Sequence, residues 1–331
     1  MKNMTTWTLT RRSLIGAGAA FALRSGSAYA QAWPNRTIQM LVGFGAGGVT
    51  DVAIRLLAEA LRPSLSQPIV IENKSGASGM IAAATVARAS PDGHVLLGMP
   101  GTITIVPSVM RQVPIDVLAD LTPVCIFATS PNVIIVKADA PQRTLKELVS
   151  EIKTKPAEDY LYASSGVGTT VHLMAGMLER AASIRMRHVP FRSSAESIQS
   201  VLSGQLPIVF SSLNSALPFI QAGSVRALAV ATKARSDFLP NVPTFEEEGI
   251  SGMQSDTWFG LGAPAGMNKD LVAQIADLTI KAMEDPAIKV RLAALGAQSL
   301  SLGPAEAMAQ MRREVKYFSE LAAEMGIKRE Q

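Results

Sequence analysis

The stretch Gly43-Phe44-Gly45-Ala46-Gly47-Gly48-Val49-Thr50-Asp51 follows an apolar run, Ile38 to Val42, and precedes a helical pattern with Ile54, Leu57, Ala58 and Leu61 on one face. Glycines let the backbone approach a ligand with no Cβ in the way. A helix starting near Thr50 directs its free N–H groups and the positive end of its dipole at the same spot. Strand, glycine turn and helix together make a cradle for an anion. Three further turns share that chemistry: Ser75-Gly76-Ala77-Ser78-Gly79, Gly101-Thr102, and Ser164-Ser165-Gly166-Val167-Gly168-Thr169-Thr170. The candidate ligand-binding residues are therefore Phe44, Ala46, Gly47, Gly48, Thr50, Gly101, Thr102, Ser164, Ser165, Gly168 and Thr169, acting through backbone N–H groups and hydroxyls.

The same residues admit a second reading. Gly43, Gly45 and Gly48 match the G-x-G-x-x-G spacing of dinucleotide-binding turns, and Glu72 ends an apolar run where a ribose-binding acid would stand. Other chemistry-bearing residues have plainer roles. Asp51 lies one turn before Arg55, the spacing of an i,i+4 ion pair. His172, in the first turn of its helix, reads as a structural hydrogen-bonding histidine. Ser193 and Glu196 have the spacing of a capping box. The three histidines are too scattered for a metal site, the single Cys125 sits in an apolar run, and no Gly-x-Ser-x-Gly nucleophile motif is present. No catalytic residue, metal or cofactor is assigned.

Composition narrows the partners. The net charge is +4, and Lys2, Arg11, Arg12 and Arg24 account for all of it. These four lie in residues 1–30, which read as a twin-arginine export signal: Thr10-Arg11-Arg12-Ser13-Leu14-Ile15, an apolar run to Leu23, and the small-x-small site Ala28-Tyr29-Ala30. Cleavage after Ala30 leaves acidic and basic residues in balance, with no electrostatic footprint for nucleic acid. The remaining 300 or so residues, rich in apolar side chains, are enough for two lobes rather than one.

Those lobes are built from alternating strands and helices. Strands are expected at 37–42, 68–72, 95–98, 123–128, 132–137, 160–163, 186–189, 206–210, 225–231 and 257–262. Helices are expected at 51–62, 79–89, 144–153, 169–181, 195–203 and 214–222, with a mostly helical stretch from about 268 to 325. Such alternation makes an α/β fold of mainly parallel sheets flanked by helices. In such sheets ligands bind beyond the carboxyl ends of strands, where the four turns collect.

The chain resembles the substrate-binding proteins of tripartite tricarboxylate transporters, also called Bordetella uptake gene proteins. The resemblance is carried by "IQMLVGFGAGGVTD" (38–51), "IVIENKSGASG" (69–79), Ser90-Pro91-Asp92-Gly93-His94, "YASSGVGTTVHL" (162–173), His188-Val189-Pro190-Phe191, "RALAVAT" (226–232), "PNVPT" (240–244) and "WFGLGAPAG" (258–266). It implies a two-lobe periplasmic binding protein of type II-like architecture, a monomer, holding a small carboxylate in the interlobe cleft and delivering it to membrane subunits of a transporter. Lobe 1 would comprise 31–130 plus 255–331 and lobe 2 131–254, with crossings near 128–132 and 252–257. Two alternatives stay open: the same receptor feeding a signalling system, and an exported dinucleotide-dependent oxidoreductase.

Two departures from the family pattern stand out. Proline is usual where this chain has Gly43. The family commonly reads Phe-Asp-Asn-Leu-Pro where this chain has Phe210-Ser211-Ser212-Leu213-Asn214. In the resembling proteins that loop faces the cleft, which adds Ser211 to the candidate binding residues. A serine cannot match the charge of a buried ammonium group, so an unaminated acid is the expected ligand.

Overall fold

The computed structural model describes residues 33–157 and 159–324. The export signal expected over residues 1–30 lies outside the described residues. Strand β1 (Ile38–Val42) lies between β2 (Ile69–Asn73) and β3 (Val95–Pro100), parallel to both. Ile38, Met40, Leu41 and Val42 are all buried, as a parallel strand covered on both faces requires. The crossovers carry α1 (Val49–Leu61) and α2 (Met80–Ala87). The expected stripe of α1, with Ile54, Leu57 and Leu61, packs onto Ile38, Met40 and Val42.

After β3 the chain enters α3 (Thr102–Val109), which the sequence reading missed. Its run Thr102-Ile103-Thr104-Ile105-Val106 is β-branched throughout and carries Pro107, so local propensity points to a strand. Packing overrides it, because a helix buries Ile103, Ile105, Val106 and Val109 together.

The two expected strands at 123–128 and 132–137 are one, β4 (Leu121–Lys137). Its first part pairs antiparallel with β9 (Asp256–Pro264), from Leu121 opposite Pro264 to Pro131 opposite Asp256. From Asn132 onward it pairs with β7 (Ile208–Ser212) and β8 (Val225–Val230). Pro131 falls where the partners change, so its missing N–H lies between two ladders and the strand continues through it. Beyond β7, β5 (Leu161–Ser164) and β6 (Arg187–Pro190) pair in parallel. Helices α4 (Leu145–Thr154), α5 (Thr170–Ala182), α6 (Ser194–Leu202) and α7 (Leu213–Gln221) cover this half. Ser193 caps α6 through the Glu196 N–H, as expected.

The C-terminal part holds α8 (Lys269–Met283), α9 (Pro286–Ala294) and α10 (Pro304–Glu324). A further strand, β10 (Gln298–Leu302), pairs with β4 at Thr129 within the stretch expected to be mostly helical. The fold is thus α/β and two-lobed, with mixed sheets. Parallel pairs form the outer strands of each half, while every antiparallel ladder involves β4 or β9, the strands that carry the chain between halves. Helix α10 bridges them: Ala307 and Met311 pack with Met99, Ile103 and Trp258, and Leu321 and Ala322 join the second core beside α5. Among the described residues no helix is long and apolar enough to cross a membrane.

Candidate functional site

Strand directions bring the turns together. β3 is antiparallel to β9 and β9 to β4, so β1 and β3 run the same way as β4, toward the second half. β7 is antiparallel to β4 and β5 is parallel to β7, so β5 runs back toward the first half. The carboxyl ends of the parallel strands in both halves therefore converge on the middle of the molecule. Direct contacts span the join. A Cβ built on Gly168 would come within 2.6 Å of Val109 Cγ2 at the end of α3. The Thr170 and Thr257 hydroxyls lie 2.8 Å apart, Thr257 donates to Asn132 Oδ1, and Asn132 donates to Ser255 Oγ, tying the two crossing segments to each other.

In the first turn Asp51 is the organising side chain. Its Oδ2 accepts from the Gly47 N–H and from Arg55 Nε, each at 2.8 Å, and its Oδ1 accepts from Asn73 Nδ2 at 2.8 Å. Burial alone would favour the neutral acid, but Arg55, the Gly47 N–H and Asn73 together hold the Asp51 carboxyl below its usual value. The Gly48 N–H bonds to the Gly45 carbonyl. Two of the expected donors, the Gly47 and Gly48 N–H groups, are thus engaged inside the turn. Those of Ala46, Val49 and Thr50 have no acceptor among the described residues. Thr50 is not the cap: the helix begins at Val49 behind Gly48, because Asp51 closes the turn instead, and Thr50 is buried in the first helical turn.

Gly43 has a packing cause. A Cβ there would meet Gly79 Cα at 2.5 Å, so the first and second glycine turns touch backbone to backbone, with the Phe44 ring lying over Gly79. A cavity of about 10 Å³ lined by Gly43, Phe44, Ser78, Gly79, Pro100 and Ile103 remains beneath them. Glu72, the candidate ribose-binding acid, is exposed on the edge strand β2 and accepts from Gln39.

Gly101 and Thr102 open α3. The Gly101 N–H bonds to the Trp258 carbonyl at 2.9 Å, and the Trp258 indole lies so close that a Cβ on Gly101 would meet Nε1 at 3.0 Å. Thr102 is buried.

The second major turn, 164–170, is held by neutral groups. Ser164 Oγ lies 2.6 Å from His188 Nε2 and accepts from the Gly166 N–H. Thr169 Oγ1 donates to the Gly166 carbonyl and accepts from the His172 N–H, capping α5. The Gly168 N–H bonds to His172 Nδ1 at 3.2 Å, which assigns the proton of that ring to Nε2. Tyr162, His188 and His172 stack in succession, with ring centroids 4.9 and 4.1 Å apart. Burial keeps both imidazoles uncharged, His172 with a pKa of about 4, and His188, which also faces His172, with one of about 3. The hydroxyls of Ser164 and Thr169, expected to face a ligand, are therefore engaged within the turn. Ser165 remains half-buried, and the N–H groups of Val167, Thr169 and Thr170 have no acceptor among the described residues.

Ser211 and Ser212 are the last residues of β7, opposite Val133 and Asn132, rather than part of a loop. Ser211 is buried and its hydroxyl donates to the Ser212 carbonyl. The residues that fix the turns, Asn73, His188, Trp258 and Glu314, were not singled out from sequence. Each acts across 20 or more positions of chain, with no local spacing to reveal it. Among the described residues no group of His, Cys, Asp and Glu could hold a metal ion. Cys125 is buried and its pKa is pushed up to about 12, an unreactive thiol.

Comparison with known proteins identifies the family and matches the fold. Residues 53–326 match the model of the tripartite tricarboxylate transporter family receptor. The periplasmic binding protein BugD is 31% identical and superposes with a TM-score of 0.81, over 90% of this chain and 100% of its own. MatC from Rhodopseudomonas palustris, solved with bound malate, is 28% identical with a TM-score of 0.80, over 88% and 100%. Rpa4515 of R. palustris, solved with adipate, is 29% identical with a TM-score of 0.83, over 89% and 99%. The chain belongs to the tripartite tricarboxylate transporter receptor family, among periplasmic solute-binding proteins.

Proposed function

We propose that this protein is a periplasmic receptor that closes its two lobes on a small unaminated mono- or dicarboxylate and presents it to the membrane subunits of a tripartite transporter. One observation carries the reading: three helix N-termini, those of α1, α3 and α5, open at carboxyl ends of strands that point at each other from the two halves. Each offers N–H groups and a dipole end suited to negative charge. Charge-assisted hydrogen bonds contribute roughly 1.5–3 kcal/mol each, so a handful offsets the cost of association and reaches micromolar affinity. No arginine clamp is needed. The malate and adipate held by two relatives support the ligand class.

In this reading the ligand contacts come from Phe44, Ala46 and the Val49–Thr50 N–H groups on one side with Gly101 and Thr102. On the other side they come from Ser165 and the Val167–Thr170 backbone. Gly47, Gly48, Ser164, Gly168 and Thr169 shape the turns. Lobe 1 is 31–130 plus 255–331 and lobe 2 is 131–254, with hinges at the paired crossings around Asn132 and Ser255. The chain is exported after cleavage near Ala30 and acts as a monomer. Small-angle scattering tests the mechanism. Saturation with adipate or malate gives a smaller radius of gyration than the unliganded protein; an unchanged radius at saturation contradicts closure.

A further inference from the structure

Glu314, on the inner face of α10, is a carboxyl group that the binding reading does not use. Its Oε1 accepts from Gln310 Nε2 at 2.7 Å, and Trp258 Nε1 lies 3.0 Å from Oε1 and 2.9 Å from Oε2. Its Oε2 is 2.7 Å from Thr104 Oγ1. Thr104 is fully buried, and the same hydroxyl lies 2.8 Å from the Gly101 carbonyl oxygen. A hydroxyl has one proton to donate. It cannot give both oxygens a full two-centre bond, and the Gly101 carbonyl, which also accepts from the Thr104 N–H at 3.1 Å, cannot donate back. If Thr104 donates to Gly101, the proton of the remaining 2.7 Å contact has to come from Glu314.

The groups around the carboxyl agree with an uncharged state. Trp258 and Asp256 face it from β9, Thr104 from α3 and Gln310 from its own helix; none is a cation, and Asp256 adds negative charge nearby. Burial, with Asp256 adding to it against the hydrogen bonds, raises the Glu314 pKa from its ordinary value.

We propose that Glu314 is held as a neutral carboxylic acid and is the positioning residue of the Gly101–Thr102 turn, which it fixes through Thr104 and Trp258. Thr104 hands the bond on to the Gly101 carbonyl, and Trp258 packs its indole against Gly101 while its carbonyl takes the Gly101 N–H. One side chain on the last helix thereby sets where the α3 N-terminus points. The placement of that N-terminus in the ligand cleft rests on the function proposed above; the protonation state and the local fixing do not.

Infrared spectroscopy and hydrogen exchange on the unliganded protein test this directly. At neutral pH the difference between wild type and Glu314→Gln shows the carbonyl band of a protonated carboxylic acid, lost in the variant. Glu314→Gln, a neutral isostere, keeps wild-type exchange in the segment 101–106. Glu314→Ala speeds it about tenfold, the loss of one hydrogen bond to a buried partner. Absence of the acid band, or equal loosening by Gln and Ala, overturns the proposal. A titration with adipate forms the second arm: where wild type binds it, Glu314→Gln stays within about threefold and Glu314→Ala weakens about tenfold. Failure of the wild type to bind adipate counts against the ligand reading, while the infrared and exchange results still decide the role of Glu314.

Discussion

Gly47 and Gly168 stand at equivalent places in the two halves, each in a turn that follows a parallel strand and opens a helix, with φ of +75° and +73°. Their surroundings differ. A Cβ on Gly47 would meet nothing within 4 Å, whereas one on Gly168 would press on Val109 of the other half. The means of holding the turn differ too. A carboxylate with an arginine and an amide, Asp51, Arg55 and Asn73, closes the first; two stacked neutral imidazoles and two hydroxyls close the second. The same local architecture is thus stabilised by charge in one half and by uncharged hydrogen bonds in the other. Only the second turn is pressed into the interface between halves.

The comparison breaks first at Gly168. Gly168→Val combines left-handed strain of about 1–2 kcal/mol with overpacking of about 1–3 kcal/mol, and should lower both stability and affinity in denaturant and calorimetric measurements. Asp51→Ala follows at about 3 kcal/mol, the low end for breaking a buried charged network because Arg55 is half exposed. Its loss also frees Gly47, so exchange at that amide should rise with the fold retained. Gly47→Val carries only the strain, about 1–2 kcal/mol. It should abolish ligand binding with the fold intact, since the branched side chain projects into open space at the mouth of α1. Thr50→Ala is the smallest, below about 1 kcal/mol, because Thr50 is not the cap whose loss would cost that much.

Acid separates the two turns. His172 is neutral in the folded chain, with a pKa of about 4, against about 6.5 when unfolded. Above pH 6.5 both states are neutral and stability does not change. Between pH 6.5 and about 4 the unfolded chain takes up protons that the folded chain refuses, so stability falls as pH falls. Asp51 loses stability in the same direction but at lower pH: its contribution is complete above the unfolded carboxylate value near 3.9 and is lost only as pH drops through its lowered folded value. Hydrogen exchange at pH 5 should therefore show faster opening around Gly168 than at pH 7, after correction for intrinsic rates, and no such change around Gly47. Equal loosening of both turns would erase the distinction.

Much of this was legible in sequence because it is local. The alternation of apolar runs with amphipathic helices, the Asp51–Arg55 spacing and the Ser193 cap all depend on residues a few positions apart. The engagement of Ser164 and Thr169 was not legible, since a hydroxyl beside a glycine turn looks the same whether it faces a ligand or a histidine 24 residues away. The continuity of β4 was hidden by Pro131, which reads as a break unless the change of partner strands is known. Helix α3 was hidden by its β-branched composition, and Glu314 by its separation of 210 positions from Thr104.

The central claim is binding of an unaminated carboxylate: the converging helix N-termini favour an anion, and among the described residues the turns offer no unengaged carboxylate to match an ammonium group. Asp51 is enclosed by Gly47, Arg55 and Asn73, and Ser211 and Ser212, at the end of β7, carry no charge. A thermal-shift panel of simple mono- and dicarboxylates against aspartate and glutamate measures this most directly. Ligand at about a hundred times its Kd adds about 2.7 kcal/mol, which raises the midpoint by several degrees in a chain of this size. The account predicts that shift from a simple acid such as adipate or malate and none from the amino acids. A shift from aspartate or glutamate, with none from the simple acids, would contradict it.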